Sequence, residues 1–115
     1  MTDRELLELA AKAAGVAIFG IDEKYGAYIE RACQSGPSYW NPLTNRLDAF
    51  SLMVKLGMDV SVCRMTSRVL VTAERHIGDG SDSVGCQEEG QADQADQLTM
   101  RSITRCAAEV GRAMG

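Results

Sequence analysis

Two short runs, Val60-Ser-Val-Cys-Arg-Met65 and Arg68-Val-Leu-Val-Thr-Ala-Glu74, alternate apolar and polar residues on either side of Thr66-Ser67. Period-two alternation broken by two turn residues is the pattern of an antiparallel β-hairpin, so at least part of this chain must be a sheet with one buried face. Val60, Val62, Val69 and Val71 form the inward set this register implies. A slip of one residue would turn them all outward. Cys63 falls in the same pattern as a near-core residue.

Helices bracket that hairpin. Thr2-Asp-Arg-Glu5 has the spacing of a capping box, and Leu6, Leu7, Leu9, Ala10, Ala13 and Ala14 follow as a stripe of helical period. Gly15 supplies the left-handed stop. Arg46 to Leu56 reads as a second helix, capped by Thr44 or Asn45 and closed by Gly57, with Leu47, Phe50, Met53 and Val54 on its apolar face. A third runs from about Gln97 to Ala113. Its core stripe is Met100, Ile103, Ala107, Val110 and Met114, and Cys106 also sits in this pattern as a core thiol.

Between the first two helices, Val16–Ile21 and Tyr25–Arg31 are strand-like and separated by Asp22-Glu-Lys24, a second hairpin. Gln34 to Pro37 reads as a loop. The expected order is α-β-β-α-β-β-α, an α+β fold in one domain spanning residues 1–115. The two hairpins either join in one antiparallel sheet packed by helices or stand as separate small hairpins around a helical core.

The formal net charge is −4, but it is unevenly spread. Asp79, Asp82, Glu88, Glu89, Asp93 and Asp96 lie in a stretch with no Lys or Arg, leaving the remainder at about +2. Low hydrophobicity and single-sign charge make residues 78–96 a flexible acidic loop by expectation. Cys86, within it, is expected to be exposed. This charge pattern argues against nucleic-acid binding. Arg101, Arg105 and Arg112 form only a sparse basic flank on the last helix.

No catalytic pattern emerges. The four cysteines lack metal-ligand spacing and there is one histidine, His76, so neither a zinc site nor a cofactor is expected. Asp79–Gly85 fails the calcium-loop pattern, with Val84 where the glycine belongs and Gly90 where the glutamate belongs. Gly78-Asp-Gly80 lacks the lysine and helix start of a phosphate loop. The expectation is a non-enzyme, cytoplasmic, with free thiols and no membrane span.

Ser38 to Phe50, "SYWNPLTNRLDAF", holds the single tryptophan. Pro42 biases Asn41 to an extended conformation, so the stretch is a rigid strand-to-helix elbow that fixes the direction of Trp40. The ring either packs between the first two helices or anchors a partner, with Tyr39 and Asn41 beside it.

The same stretch carries a resemblance. Trp40-Asn-Pro-Leu43, Asp48-Ala-Phe50 and Val54-Lys-Leu-Gly57 resemble a block found in short bacteriophage and prophage accessory proteins. The closing Arg101-Ser-Ile-Thr-Arg-Cys-Ala-Ala-Glu-Val-Gly-Arg112 resembles their final helix. The chain departs from the block at Thr44-Asn-Arg-Leu47, where those proteins tend to have Asp and Gly. The resemblance implies a bacterial-host setting and a protein that inhibits or modulates a host system such as CRISPR interference. The contact residues expected for that role are Tyr39, Trp40, Asn41, Arg101, Arg105 and Arg112. The alternatives are a purely structural phage domain or a nucleotide sponge, with Tyr39 or Trp40 stacking on a base and Arg101 or Arg105 meeting phosphate across a homodimer interface.

Overall fold

The computed structural model describes residues 2–22, 25–30, 37–76 and 83–114. The chain forms α1 (Asp3–Ala14), β1 (Gly20–Asp22), β2 (Gly26–Glu30), β3 (Pro37–Trp40), α2 (Arg46–Leu56), β4 (Asp59–Arg64), β5 (Arg68–His76), β6 (Ser83–Gln91), a 3-10 turn (Ala92–Gln94) and α3 (Ala95–Ala113). It is an α+β fold with two antiparallel three-stranded sheets, β1-β2-β3 and β4-β5-β6. The sequence pattern led to one four-stranded sheet or two bare hairpins, and each hairpin has instead gained a third strand.

Helix ends follow their local signals. The Thr2 hydroxyl accepts from the Glu5 N–H, and the Asn45 side chain accepts from the N–H groups of Leu47 and Asp48. Gly15 and Gly57 close α1 and α2 in the left-handed conformation. That closure also explains why the strand expected from Val16 starts only at Gly20. The Val16 N–H donates back to the Ala11 carbonyl as part of the helix end, so it cannot serve a ladder.

The most extensive contact between elements is that of α1 with α3. Both contribute small buried residues, Ala10, Ala11 and Ala14 from one and Ala107, Ala108 and Gly111 from the other. Gly111 marks the closest approach, since a Cβ there would overlap the Leu9 carbonyl oxygen. The other face of α3 lies on β5 and β6, while α1 touches β2. The buried Ser102 hydroxyl donates to the Val71 carbonyl at 3.4 Å and that of Thr104 to the Met100 carbonyl at 2.8 Å. Neither buried hydroxyl is left unsatisfied. One hydrophobic cluster draws on both sheets and all three helices, including Ala27, Trp40, Leu52, Ala73 and Ile103.

Residues 83–96 are not a loop: they form β6, the 3-10 turn and the start of α3, in continuous register with β5 from Arg68↔Gln91 to His76↔Ser83. Pro37 opens a strand rather than ending a loop, pairing with Glu30 at the edge of its sheet where a missing N–H costs nothing. Val62 is half exposed because α3 covers β5 and β6 but not the outer strand β4, and Cys63 is exposed on the opposite face of the sheet, across from Leu70. Met114 is exposed at the end of α3.

The helix contact gives a direct test. Gly111→Ala is expected to lower stability by at least ~1–3 kcal/mol, the usual penalty of overpacking, because the obstacle is backbone rather than a movable side chain. Gly20→Ala, whose Cβ would meet nothing within 4 Å, serves as the control. Thermal and urea denaturation of the two variants measure the difference.

Candidate functional site

The elbow between β3 and α2 is held by a closed set of hydrogen bonds. The Asn41 N–H donates to Asp48 Oδ2 at 2.9 Å, and Asn41 Oδ1 accepts from the Leu43 N–H at 3.1 Å. The Asn41 carbonyl accepts from Thr44 and Asn45 N–H groups, and Asn45 Oδ1 accepts from Leu47 at 2.9 Å and Asp48 at 3.2 Å. Gly26 approaches this turn so closely that a Cβ would lie 2.6 Å from Asn41 Cβ, and its φ of 101° suits only glycine. Asn41 is thus a structural part of the elbow.

Strand alternation then divides the aromatic residues. Trp40 is 5% exposed and lies across from Ala27, which in turn pairs with Ile21, forming the inward row. Trp40 is a core residue, so its ring is not available to stack on a partner or a base. Its neighbour Tyr39 faces out, directly opposite Tyr28. The Tyr28 and Tyr39 rings meet edge to face at 5.5 Å, and Tyr25 meets Tyr39 at 5.2 Å. All three tyrosines of the chain therefore share one exposed cluster. The Tyr25 N–H donates to Asp22 Oδ1, anchoring the third ring at the β1–β2 turn.

A second apolar surface lies on α2, where the expected face is reversed. Asp48, Ala49, Leu52 and Leu56 are buried, while Leu47 is 76% exposed and Phe50 and Val54 each 60%. Asp48 explains the orientation, since its carboxylate must turn inward to accept the Asn41 N–H. Leu47, Phe50 and Val54 are consequently left as an outward stripe at spacings of three and four. Phe50 and Met53 edge a small hollow of about 280 Å³ against Met100 and Ile103 of α3.

The charged residues are largely committed to one another. Arg101 and Arg105 both reach Glu88 Oε1, and Arg101 also lies 3.7 Å from Asp3. The bond to Glu88 raises the Arg105 pKa further, so it stays charged. Arg112 stands apart from this pair, 3.5 Å from Glu109. Glu89 pairs with Arg68 and Asp96 with Arg46, while Asp93 is exposed in the 3-10 turn. The acidic stretch is therefore a strand edge and a helix start laced to arginines. Asp79 and Asp82 lie outside the described residues.

Two open clefts flank the elbow, of about 790 Å³ between Thr44–Leu47 and Asp93–Gln97 and about 500 Å³ between the start of α1, β1 and Asn41. Neither gathers a nucleophile with a base. Among the described residues no group of three His, Cys, Asp or Glu side chains is placed to hold a metal ion. No helix among them is long and apolar enough to cross a membrane. His76 ends β5 opposite Ser83. Cys33 lies outside the described residues.

Cys86, expected on a loop, is half-buried on β6 and packs against the core. Burial raises its pKa, partly offset by Arg105. Cys106 is fully buried, its Sγ 3.4 Å from the Val84 carbonyl, and burial pushes its pKa up to about 11.

Sequence reasoning placed Tyr39 in the site but missed Tyr25 and Tyr28. Tyr28 meets Tyr39 only through the β2–β3 pairing, and the sequence pattern offers no third strand beside the first hairpin. No family model matches the chain, and no curated protein matches it.

Trp40→Ala is expected to cost ~3–5 kcal/mol, the range for deleting a large buried aromatic, as read by denaturation. In a Cys33→Ser background at pH 8, alkylation followed by peptide mapping is expected to modify Cys63 first, Cys86 slowly and Cys106 only on unfolding. The unfolded chain releases the Cys106 proton near pH 9 and the native chain near 11, so the unfolded state binds fewer protons between them. Stability is therefore full below pH 9 and falls as pH rises towards 11, and Cys106→Ala flattens that slope.

Proposed function

We propose that this chain is a non-catalytic accessory protein that binds another protein through its tyrosine cluster and, by that contact, inhibits or modulates a host system. The observation that carries this reading is the packing of Tyr25, Tyr28 and Tyr39 ring against ring on the outer face of a short sheet. Tyrosines held this way lose little further conformational freedom on binding and offer both apolar area and a hydroxyl, the character of an interface anchor. The stripe of Leu47, Phe50 and Val54 adds exposed apolar surface of the kind that marks association sites. The bacteriophage setting, with an anti-defence role as its leading form, rests on the resemblance of the Trp40–Leu43 and Arg101–Arg112 blocks.

Affinity capture from a bacterial host lysate, run in parallel with the wild type and Tyr28→Ala/Tyr39→Ala, tests this reading. The wild type is expected to retain one partner in stoichiometric amount. The double variant should keep its thermal midpoint within a few degrees and bind that partner at least about 30-fold more weakly, as loss of a hot spot worth ~2 kcal/mol requires. A folded double variant that still captures the partner at full strength sinks the proposal, as does a wild type that captures nothing specific.

A further inference from the structure

We infer that the outer edge of β4 is a self-association surface, through which a second copy of this chain adds to the sheet about a two-fold axis. This inference is independent of the tyrosine cluster and of the function proposed for it. Among the described residues β4 pairs only with β5, and no strand lies on its other edge in the sheet order β4-β5-β6. The Met65 N–H donates to the Arg68 carbonyl at 2.8 Å, which makes that couple the hydrogen-bonded pair closing the hairpin. Antiparallel ladders alternate, so Cys63, Ser61 and Asp59 spend their backbone groups on β5. The N–H and C=O groups of Val60, Val62 and Arg64 therefore point out along the open edge.

Native edge strands are normally blunted by proline, lysine, a bulge or brevity. β4 has six residues, no proline or lysine, and an unbroken register from Asp59↔Glu74 to Arg64↔Val69. Its centre, Ser61-Val62-Cys63, is uncharged and exposed. The other edges suit pairing less. β1 and β3 have three and four residues, and β6 carries Glu88 and Glu89, whose counterparts in a second copy would be brought alongside in one strand pair.

The occupant that fits is β4 of a second copy, antiparallel, with Val62 on the two-fold axis. Val62 then exchanges both backbone bonds with Val62 of the second copy, and Val60 exchanges both with Arg64 of the second copy. Every outward backbone group of these three residues is satisfied in both chains. Opposite residues share a sheet face, so the two half-exposed Val62 side chains, each 50% exposed, cover one another. Charge complementarity sets the direction. An antiparallel pair runs the Asp59 end of each strand beside the Arg64 end of the other, whereas a parallel pair would bring like charges together. The product is a continuous six-stranded antiparallel sheet, isologous as two-fold dimers are.

Sedimentation velocity under reducing conditions, across about 1–200 µM, tests this with full-length protein. The wild type is expected to shift from monomer to dimer within that range, as suits an interface smaller than standard. Val62→Lys places two ammonium groups against each other at the axis and should weaken the dimer at least tenfold while leaving the thermal midpoint of the monomer unchanged. Val62→Pro is the second variant. It removes an N–H that β5 does not use, and should likewise give a folded monomer. Phe50→Asp, on the α2 stripe, should leave the dimer intact. A wild type that stays monomeric at 200 µM overturns the inference. So does a dimer that survives both Val62 variants, or one abolished by Phe50→Asp alone.

Discussion

The close approach of α1 and α3 at Leu9 and Gly111 is the contact on which the rest of the structure depends. Two helices can come backbone to backbone only where side chains are small, and here alanines and a glycine line the crossing. α3 has a second duty, since its opposite side must seat the sheet of β4, β5 and β6. A narrow stripe towards α1 and a second surface around Ser102 and Cys106, whose side chains meet the Val71 and Val84 carbonyls, divide these roles. Dispersion across such a close interface depends on shape, because a gap of even half an ångström forfeits much of the attraction. The crossing also fixes where the smaller sheet sits, because α1 carries the contact with β2.

A single buried carboxylate sets the second constraint. Asp48 lies at the third position of α2 and accepts the Asn41 N–H that the elbow would otherwise bury without a partner. Burying a carboxylate is unfavourable unless it is well hydrogen-bonded, so this bond selects one rotation of the helix over the other. The selected rotation buries Ala49, Leu52 and Leu56 and exposes Leu47, Phe50 and Val54. The apolar stripe on the surface thus follows from the polar demand of a turn. The same elbow sends Trp40 inward, and alternation then sends Tyr39 outward to meet Tyr28.

Much of the fold was legible because it is written in local signals. Thr2, Asn45, Gly15 and Gly57 mark helix ends through short-range geometry, and the Thr66-Ser67 hairpin follows from alternation over a dozen residues. What could not be read depends on partners distant in the chain. β6 contains Gly85, Gly90, Glu88 and Glu89, a composition that disfavours strands, and it is held by pairing to β5 and by Arg105, Arg101 and Arg68. An acidic run looks solvated until its arginines are found. Periodicity also could not choose the face of α2, because both faces are apolar and the deciding residue, Asp48, counts as polar. Of the candidate site, only Tyr39 was visible, since ring-to-ring packing with Tyr28 needs β3.

These choices leave a surface with a particular division of labour. Within the acidic segment that dominates the net charge, Glu88, Glu89 and Asp96 pair with Arg46, Arg68, Arg101 and Arg105, which lowers the long-range field those three would project if they were free. The exposed pairs Arg46–Asp96 and Arg68–Glu89 contribute little stability each, but they neutralise charge locally. What remains conspicuous on the outside is apolar: three tyrosines on one sheet and the stripe on α2. Recognition through such surfaces depends on shape and desolvation more than on steering, so it should tolerate salt. The open edge of β4 is a third kind of surface, where unspent backbone groups rather than side chains define the fit. It lies beyond the cover of α3 because that helix is committed to β5 and β6. The packing that fixes the core therefore also determines which strand is left open.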